Sequence, residues 1–339
     1  MISGKISVIG IGNVGQSAVM NLFEKRIGRC IYCFDIPGAD LAPTKARIDE
    51  IRDSHEQLGP DLIESNDPED IEGSEIVIIT SGKPRKADQK RDDLVKGNAG
   101  IVAEWAGYVK KYASEARCVI VTNPVAAMTG VALEKTGFPR QRVLGIGSSL
   151  DAKRVIREFA KILGLTSAHM HGYVLGDHGE NMVIPIENFT IYGQNLRSYL
   201  ESSKSSKLEE IEKIAENMKT ASQYLIEGLR ISPWLGPGEH VANQCEHIYY
   251  GPQNPLQGTI SNAIVKLEGE YGINGVIGVP VKIGRRGMVE VIELDNLSEK
   301  HKKEFKQASR HIKKLTDIAF DTLNETENSK KSTQNDSLP

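Results

Sequence analysis

The stretch from Lys5 to Asp35 constrains the fold of this chain more than any other. An apolar run, Lys5–Gly10, leads straight into glycines at Gly10, Gly12 and Gly15. A helical pattern over Gln16–Lys25 follows, and a second apolar run, Ile31–Asp35, ends on an acid. Runs of continuous rather than alternating apolarity, separated by helices, indicate parallel strands covered on both faces. Missing side chains at Gly10 and Gly12 permit a tight turn and let the backbone approach a pyrophosphate, whose charge the following helix N-terminus meets. Asp35, about 20 residues beyond Gly15, is placed to accept hydrogen bonds from both hydroxyls of an adenosine ribose and to repel a 2′-phosphate. NAD is therefore expected rather than NADP. No arginine immediately follows Asp35, although Lys45 and Arg47 could lie nearby.

The same rhythm continues through Glu75–Thr80, Arg117–Thr122 and Arg142–Ile146, with a helical pattern over Asn98–Tyr112. It predicts an α/β fold, a Rossmann-type doubly wound parallel sheet, over residues 1–147. Residues 148–323 change character. They hold a long helix (Asp151–Leu163), a strand near Ala168–Leu175, an amphipathic helix over much of Lys207–Gly228, β runs at Gly258–Leu267, Gly278–Ile283 and Val289–Ile292, and a closing helix from Ser298 to Leu323. This reads as a C-terminal mixed α+β substrate domain. Residues 324–339 are polar and nearly devoid of apolar side chains, which predicts a disordered tail. At 339 residues, two lobes sharing a cleft are expected rather than one core.

Composition narrows the partners. With 39% hydrophobic and 26% charged residues the chain is able to fold without metal or disulfide. A net charge of −3 with dispersed basic residues offers no footprint for nucleic acid. No segment reaches the roughly 20 uninterrupted apolar residues of a membrane span. An apolar strand at Ile6–Ile9 stands where a basic leader would be, so a cytoplasmic location is expected. Cys30, Cys33, Cys118 and Cys245 are too scattered for a disulfide scaffold. Cys30 and Cys33 fall within one strand, where positions three apart face opposite ways, so both read as buried structural thiols. His169 and His171, at strand spacing, and likewise His240 and His247, lack the Cys, Asp or Glu cluster that completes a metal site; packing roles and no metal are expected.

Doubly wound sheets bind ligands outside the carboxyl ends of their strands, so the segments just after each run matter most. Ser81-Gly-Lys-Pro-Arg-Lys-Ala-Asp-Gln-Lys-Arg-Asp-Asp-Leu94, Thr122-Asn-Pro-Val125, Leu150-Asp-Ala-Lys-Arg154 and Gly176-Asp-His-Gly179 occur there in that order. Together they resemble the lactate/malate dehydrogenase family. Tyr271-Gly-Ile273, Gly278-Val-Pro280 and Gly284-Arg-Arg-Gly287 extend the likeness, which runs from Lys5 to about Leu315. The resemblance implies NAD-dependent hydride transfer between a 2-hydroxy acid and its 2-oxo acid. It assigns Asn13, Val14, Asn98, Val121, Thr122 and Asn123 to the cofactor beside Gly10, Gly12, Gly15 and Asp35. It assigns His178 and Asp151 to catalysis, and Arg85, Arg91, Asn123 and Arg154 to the substrate.

The residue types suit those tasks. When hydride reaches a carbonyl carbon, the oxygen must gain a proton, and histidine, with an unperturbed pKa of about 6.5, exists in both forms near neutrality. An aspartate against its other ring nitrogen fixes the tautomer and stabilises the imidazolium. Asp151 and Arg154 lie three apart on one predicted helix and share a face. An arginine there grips a C1 carboxylate through a planar two-point fork. Arg91 would stabilise charge developing on the carbonyl oxygen, and Asn123 would donate to the same region.

Eight of the eleven residues in Lys83–Asp93 are charged, which with the flanking motifs suits a solvent-exposed lid carrying Arg85 and Arg91 inward on closure. In the family an arginine at the Arg85 position accompanies dicarboxylates, so malate and oxaloacetate, the pair of the tricarboxylic acid cycle, are expected over lactate and pyruvate. Two departures stand out. Ala126-Ala127 follows Asn-Pro-Val where the family often has aspartate, and Glu227–Leu235 replaces the usual lysine–glycine opening, adding Arg230, read as a surface residue. A lactate or other 2-hydroxy acid dehydrogenase remains an alternative, as does an inactive NAD-binding regulator. Against the regulator stand His178, Asp151, Arg91 and Arg154, none of which NAD binding requires. The family also implies a homodimer or homotetramer.

Overall fold

The computed structural model describes residues 4–54, 59–83, 91–203, 206–252, 254 and 257–335, without the side chains of 91–92, 221–223 and 330–335. The N-terminal half winds as β1 (Lys5–Ile9), α1 (Asn13–Glu24), β2 (Cys30–Phe34), α2 (Ala42–Asp53), β3 (Asp61–Ser65), β4 (Ile76–Ile79), α3 (Val95–Tyr112), β5 (Arg117–Ile120), α4 (Val125–Thr136) and β6 (Val143–Ile146). The six strands are parallel, in the order β3-β2-β1-β4-β5-β6. That is the expected doubly wound arrangement.

Strand alternation explains the two layers. Ile6, Val8, Ile76 and Ile78 point into one core with α1 and α2, while Ile9, Val77 and Ile79 point into the other with α3 and α4. Both faces are apolar, which is why the strands read as unbroken hydrophobic runs.

The C-terminal half contributes α5 (Ser149–Leu163), β7 (Met170–His171), β8 (Leu175–Gly176), β9 (Met182–Val183), β10 (Thr190–Ile191), β11 (Gln194–Asn195), α6 (Leu196–Ser202), α7 (Lys207–Met218), α8 (Ala221–Leu229), α9 (Leu235–Tyr249), β12 (Thr259–Glu268), β13 (Asn274–Gly284), β14 (Gly287–Val291) and α10 (Glu299–Asn335). Instead of forming a detached unit, β12 pairs antiparallel with β6, and β13, β8 and β9 continue the same sheet. Val241, Ala242, Cys245 and Ile248 of α9 join the α1 layer, and Leu315, Ala319 and Leu323 of α10 join the opposite one. Glycine is required where α9 meets α1, because a Cβ on Gly238 would run into Ser17. A third core gathers Val155 and Phe159 of α5, with Phe189, Leu196 and Ile211.

Several elements differ from the sequence reading. The edge strand β3 and helices α2, α4, α6 and α9 differ from that reading: α2 is mostly polar, and α4 is buried on every side through its first two turns. The strand expected at Ala168–Leu175 is split into β7 and β8, which belong to different sheets, with His169 closing a 3₁₀ turn before β7. His169 and His171 are both exposed, and His169 stacks on Tyr192 at 4.8 Å. The single helix over Lys207–Gly228 breaks at Lys219–Thr220 into α7 and α8. Cys33 is fully buried but Cys30 only half so. The closing helix passes Leu323 and runs to Asn335, where Lys135 and Glu327 pair at 2.9 Å, so the disordered tail expected from Asn324 is helical through that point. A polar segment lacks a core to join, but helix propagation from a docked helix needs none.

Candidate active site

The glycine turn sits at the carboxyl end of β1. Gly10 has φ +92°, and a Cβ there would lie 2.7 Å from Ser81 Cα after β4; a Cβ on Gly15 would strike the carbonyl oxygen of Gly10. These two glycines are needed by the protein itself. Gly12 is different: a Cβ there meets nothing within 4 Å among the described residues. Its missing side chain leaves an open cradle over the N-terminus of α1, where Asn13 is exposed and Val14 packs partly into the core. Asp35 follows β2 with its carboxylate held in place, accepting from Thr44 Oγ1 at 2.7 Å and from the backbone N–H of Ile36 at 2.8 Å. Arg47 turns inward to donate to the carbonyl of Ile11.

The loops after β4 and β5 are stitched together. Asn98, on α3 and 1% exposed, accepts from Lys83 N and donates to Asn123 O, both at 2.7 Å. Thr122 donates its hydroxyl to Ser81 O at 2.7 Å, and a Cβ on Gly82 would lie 2.6 Å from Thr122 Cγ2. Asn98 and Thr122 thus use their side chains to shape the wall, and Val121 is buried beside them. Two atoms remain. Ser81 Oγ and Asn123 Oδ1 are buried without a hydrogen-bond partner among the described residues. Buried polar atoms left unpaired cost about 1–3 kcal/mol each, and a ligand with polar groups bound here removes that cost. The open space at Gly12, the oriented acid and these two atoms fit a dinucleotide.

The candidate catalytic half arises next door, because β5 and β6 are ladder neighbours and their following segments emerge side by side. Asp151, in the first turn of α5, is 2% exposed and stands 2.5 Å from His178 Nδ1 through Oδ2. Its other oxygen faces Arg154 at 3.5 Å. His178 follows β8, and its backbone N–H donates to Asp177 Oδ1 at 2.8 Å. Sequence reasoning did not find what seats these groups. Ser148 Oγ donates to Val174 O at 2.8 Å, and Asn262 Nδ2 of β12 reaches both, at 2.7 and 2.5 Å. Ser149 at the start of α5 shares a 2.9 Å hydrogen bond with His240 of α9, and burial, with Lys153 and Arg154 adding to it, pushes that imidazole down to about 4. All these pairs span many residues, so no local motif announces them.

Arg85 and residues 84–90 of the expected lid lie outside the described residues, and Arg91 begins a 3₁₀ turn at the entry to α3 with its side chain likewise outside. Ala126 and Ala127 are buried in α4, and Arg230 is exposed at the end of α8. Among the described residues no group of three or more His, Cys, Asp or Glu could hold a metal, and no helix is long and apolar enough to cross a membrane.

Together the fold and this edge of the sheet define an oxidoreductase of the Rossmann class. More narrowly, the chain belongs to the lactate/malate dehydrogenase family: residues 4–145 match its NAD-binding domain and residues 148–322 its alpha/beta C-terminal domain. A malate dehydrogenase of Pyrobaculum aerophilum is 35% identical over 316 residues, which is 91% of this chain and 96% of that protein. The malate dehydrogenase from Aeropyrum pernix matches at a TM-score of 0.81 and 31% identity, covering 92% of this chain and 97% of that one. Minor L-lactate dehydrogenase from Enterococcus mundtii matches at 0.85 and 25% identity, covering 94% and 99%. The expected family and the Rossmann-type fold are borne out.

Proposed function

We propose that this chain is an NAD-dependent malate dehydrogenase, with His178 exchanging the proton and Asp151 holding it in place. The observation that carries this reading is the 2.5 Å contact between His178 Nδ1 and a buried carboxylate that also faces Arg154. Asp151 engages Nδ1, which assigns Nε2 to give a proton to the oxo oxygen, or to take one from the alcohol. The bound dinucleotide supplies or accepts the hydride. Arg154 grips the C1 carboxylate by its planar fork, and its charge, like that of the imidazolium, is steadied by Asp151. Asn123, and Arg91 by its place in the motif, are assigned to the carbonyl side, where negative charge grows during reduction. Asp35 takes the ribose hydroxyls, and Gly12 leaves room for the pyrophosphate.

The substrate is a dicarboxylate in this reading. Its support is Arg85 in the motif and malate dehydrogenases among the relatives at 35% and 31% identity. A desolvated arginine left without its carboxylate is costly, so pyruvate is a poor substrate in this reading. The division near residue 147, the cytoplasmic location, a homo-oligomer and a place in the tricarboxylic acid cycle belong to the same reading. Oxaloacetate and pyruvate assayed with NADH and NADPH test it. Oxaloacetate with NADH is expected to be favoured by at least about a hundredfold in kcat/KM over pyruvate; an Arg85→Gln variant with the same preference would remove the dicarboxylate assignment.

A further inference from the structure

A cavity of about 890 Å3 opens between α5, the segment 167–171 and the turn from α8 to α9. It is large for a small diacid and within the range of small-molecule sites. Leu225, Leu229, Trp234 and Met170 supply apolar walls from separate elements. The charged side chains that line it are Lys153, Arg154 and Arg157, joined by His171 and His240, and among the described residues no Asp or Glu does so. Arg154 faces Asp151, and Arg157 pairs with Glu158 at 3.1 Å. Lys153 and His171 make no side-chain hydrogen bond or ion pair among the described residues. A cavity that is apolar in body and exclusively basic in charge is complementary to one class of molecule.

We propose that this cavity binds an amphipathic organic anion, a carboxylate carrying a medium-length alkyl chain. The chain lies against Leu225, Leu229 and Trp234, and the carboxylate meets Lys153 on the basic side. Hydrophobic transfer makes affinity grow about fourfold for each methylene that enters the apolar wall. Arg154 lines the cavity as well as the catalytic cleft, so occupancy also competes with the substrate carboxylate. That last consequence rests on the role given to Arg154 above.

Trp234 reports on its own cavity, because the chain's other tryptophan, Trp105, is buried in α3. Octanoate titrated into the full-length protein is expected to change its tryptophan emission saturably, with Trp234→Phe removing the response. Butyrate, with the charge but little chain, and octyl glucoside, with the chain but no charge, are expected to bind at least tenfold more weakly. Lys153→Glu and the partly exposed Leu229→Glu should each weaken octanoate about tenfold, while unchanged NADH binding shows that the variants are folded. A response as strong with octyl glucoside, or one that survives both variants, overturns the site. So does shielding of Trp234 on raising protein concentration alone, which would mean that a second copy of the chain occupies the cavity. In steady-state assays octanoate should raise the apparent KM for oxaloacetate at constant kcat. Saturable binding without that competition upholds the cavity and counts against Arg154 as the substrate anchor.

Discussion

His178 Nδ1 and Asp151 Oδ2 stand 2.5 Å apart although 27 residues separate them in the chain. The carboxylate is 2% exposed and Arg154 is 12% exposed, so both charges act through a medium poorer in water than the surface. Asp151→Asn would leave the shape nearly unchanged but no longer stabilise the imidazolium. We expect kcat to fall by about a hundredfold or more with NADH binding retained. Equal loss of NADH affinity would contradict the separation of roles.

The two glycine types make opposite predictions. Gly15→Ala drives a methyl into the carbonyl of Gly10 and should lower the melting temperature by several degrees, an overpacking cost of about 1–3 kcal/mol. Gly12→Ala meets no protein atom within 4 Å, so the melting temperature should hold while NADH affinity drops about tenfold. Calorimetry and NADH fluorescence separate the two.

Asn98 joins Lys83 N and Asn123 O with two 2.7 Å hydrogen bonds. Asn98→Ala leaves both backbone groups unpaired and should cost roughly 2 kcal/mol in denaturant unfolding. Because it also frees Asn123, kcat should fall more than the KM for NADH rises. A pure stability change with unaltered kinetics would limit Asn98 to a packing role.

Half-buried Glu187 and buried His240 contribute to the acid limb of stability in different windows. Burial would push Glu187 up, but hydrogen bonds from His301 and from the backbone of Ser298 outweigh it and hold the carboxyl at about 2. A depressed carboxylate stabilises the fold above its unfolded pKa of about 4.3. That stabilisation, roughly 2–3 kcal/mol, fades as pH drops toward 2. His240 is pushed down to about 4 by burial. The unfolded chain takes up this proton first, so stability declines from about pH 6.5 to 4 and then levels. Unfolding followed against pH should show Glu187→Gln flattening the lower window and His240→Asn the upper one. A parallel displacement of the whole curve in either variant would rule out that assignment.

Much of the site was legible in the chain. Gly10, Gly12, Gly15 and Asp35 belong to one strand–turn–helix–strand unit, so local pattern suffices to read them. Asp151 and Arg154 share a helix turn, and unbroken Ile and Val runs announce strands covered on both faces. The short pieces were not legible: β7 and β8 hold two residues each, and only partners in separate sheets decide that Met170–His171 and Leu175–Gly176 are strands at all. The pairing of β12 with β6, which continues one sheet through both halves, is likewise a long-range choice.

The sequence by itself determined the winding of the nucleotide half and the residue types of the chemistry, because both depend on neighbours a few positions apart. The family motifs already implied His178 with Asp151, while tertiary structure alone decided the meetings no motif names, Ser149 with His240 and Asn98 with the backbones of Lys83 and Asn123. It also decided which glycine the protein's own packing requires, since only packing shows that a methyl on Gly15 collides and one on Gly12 meets no described atom. Contacts between distant residues follow from burying surface around a shared core, and no local pattern encodes that sum.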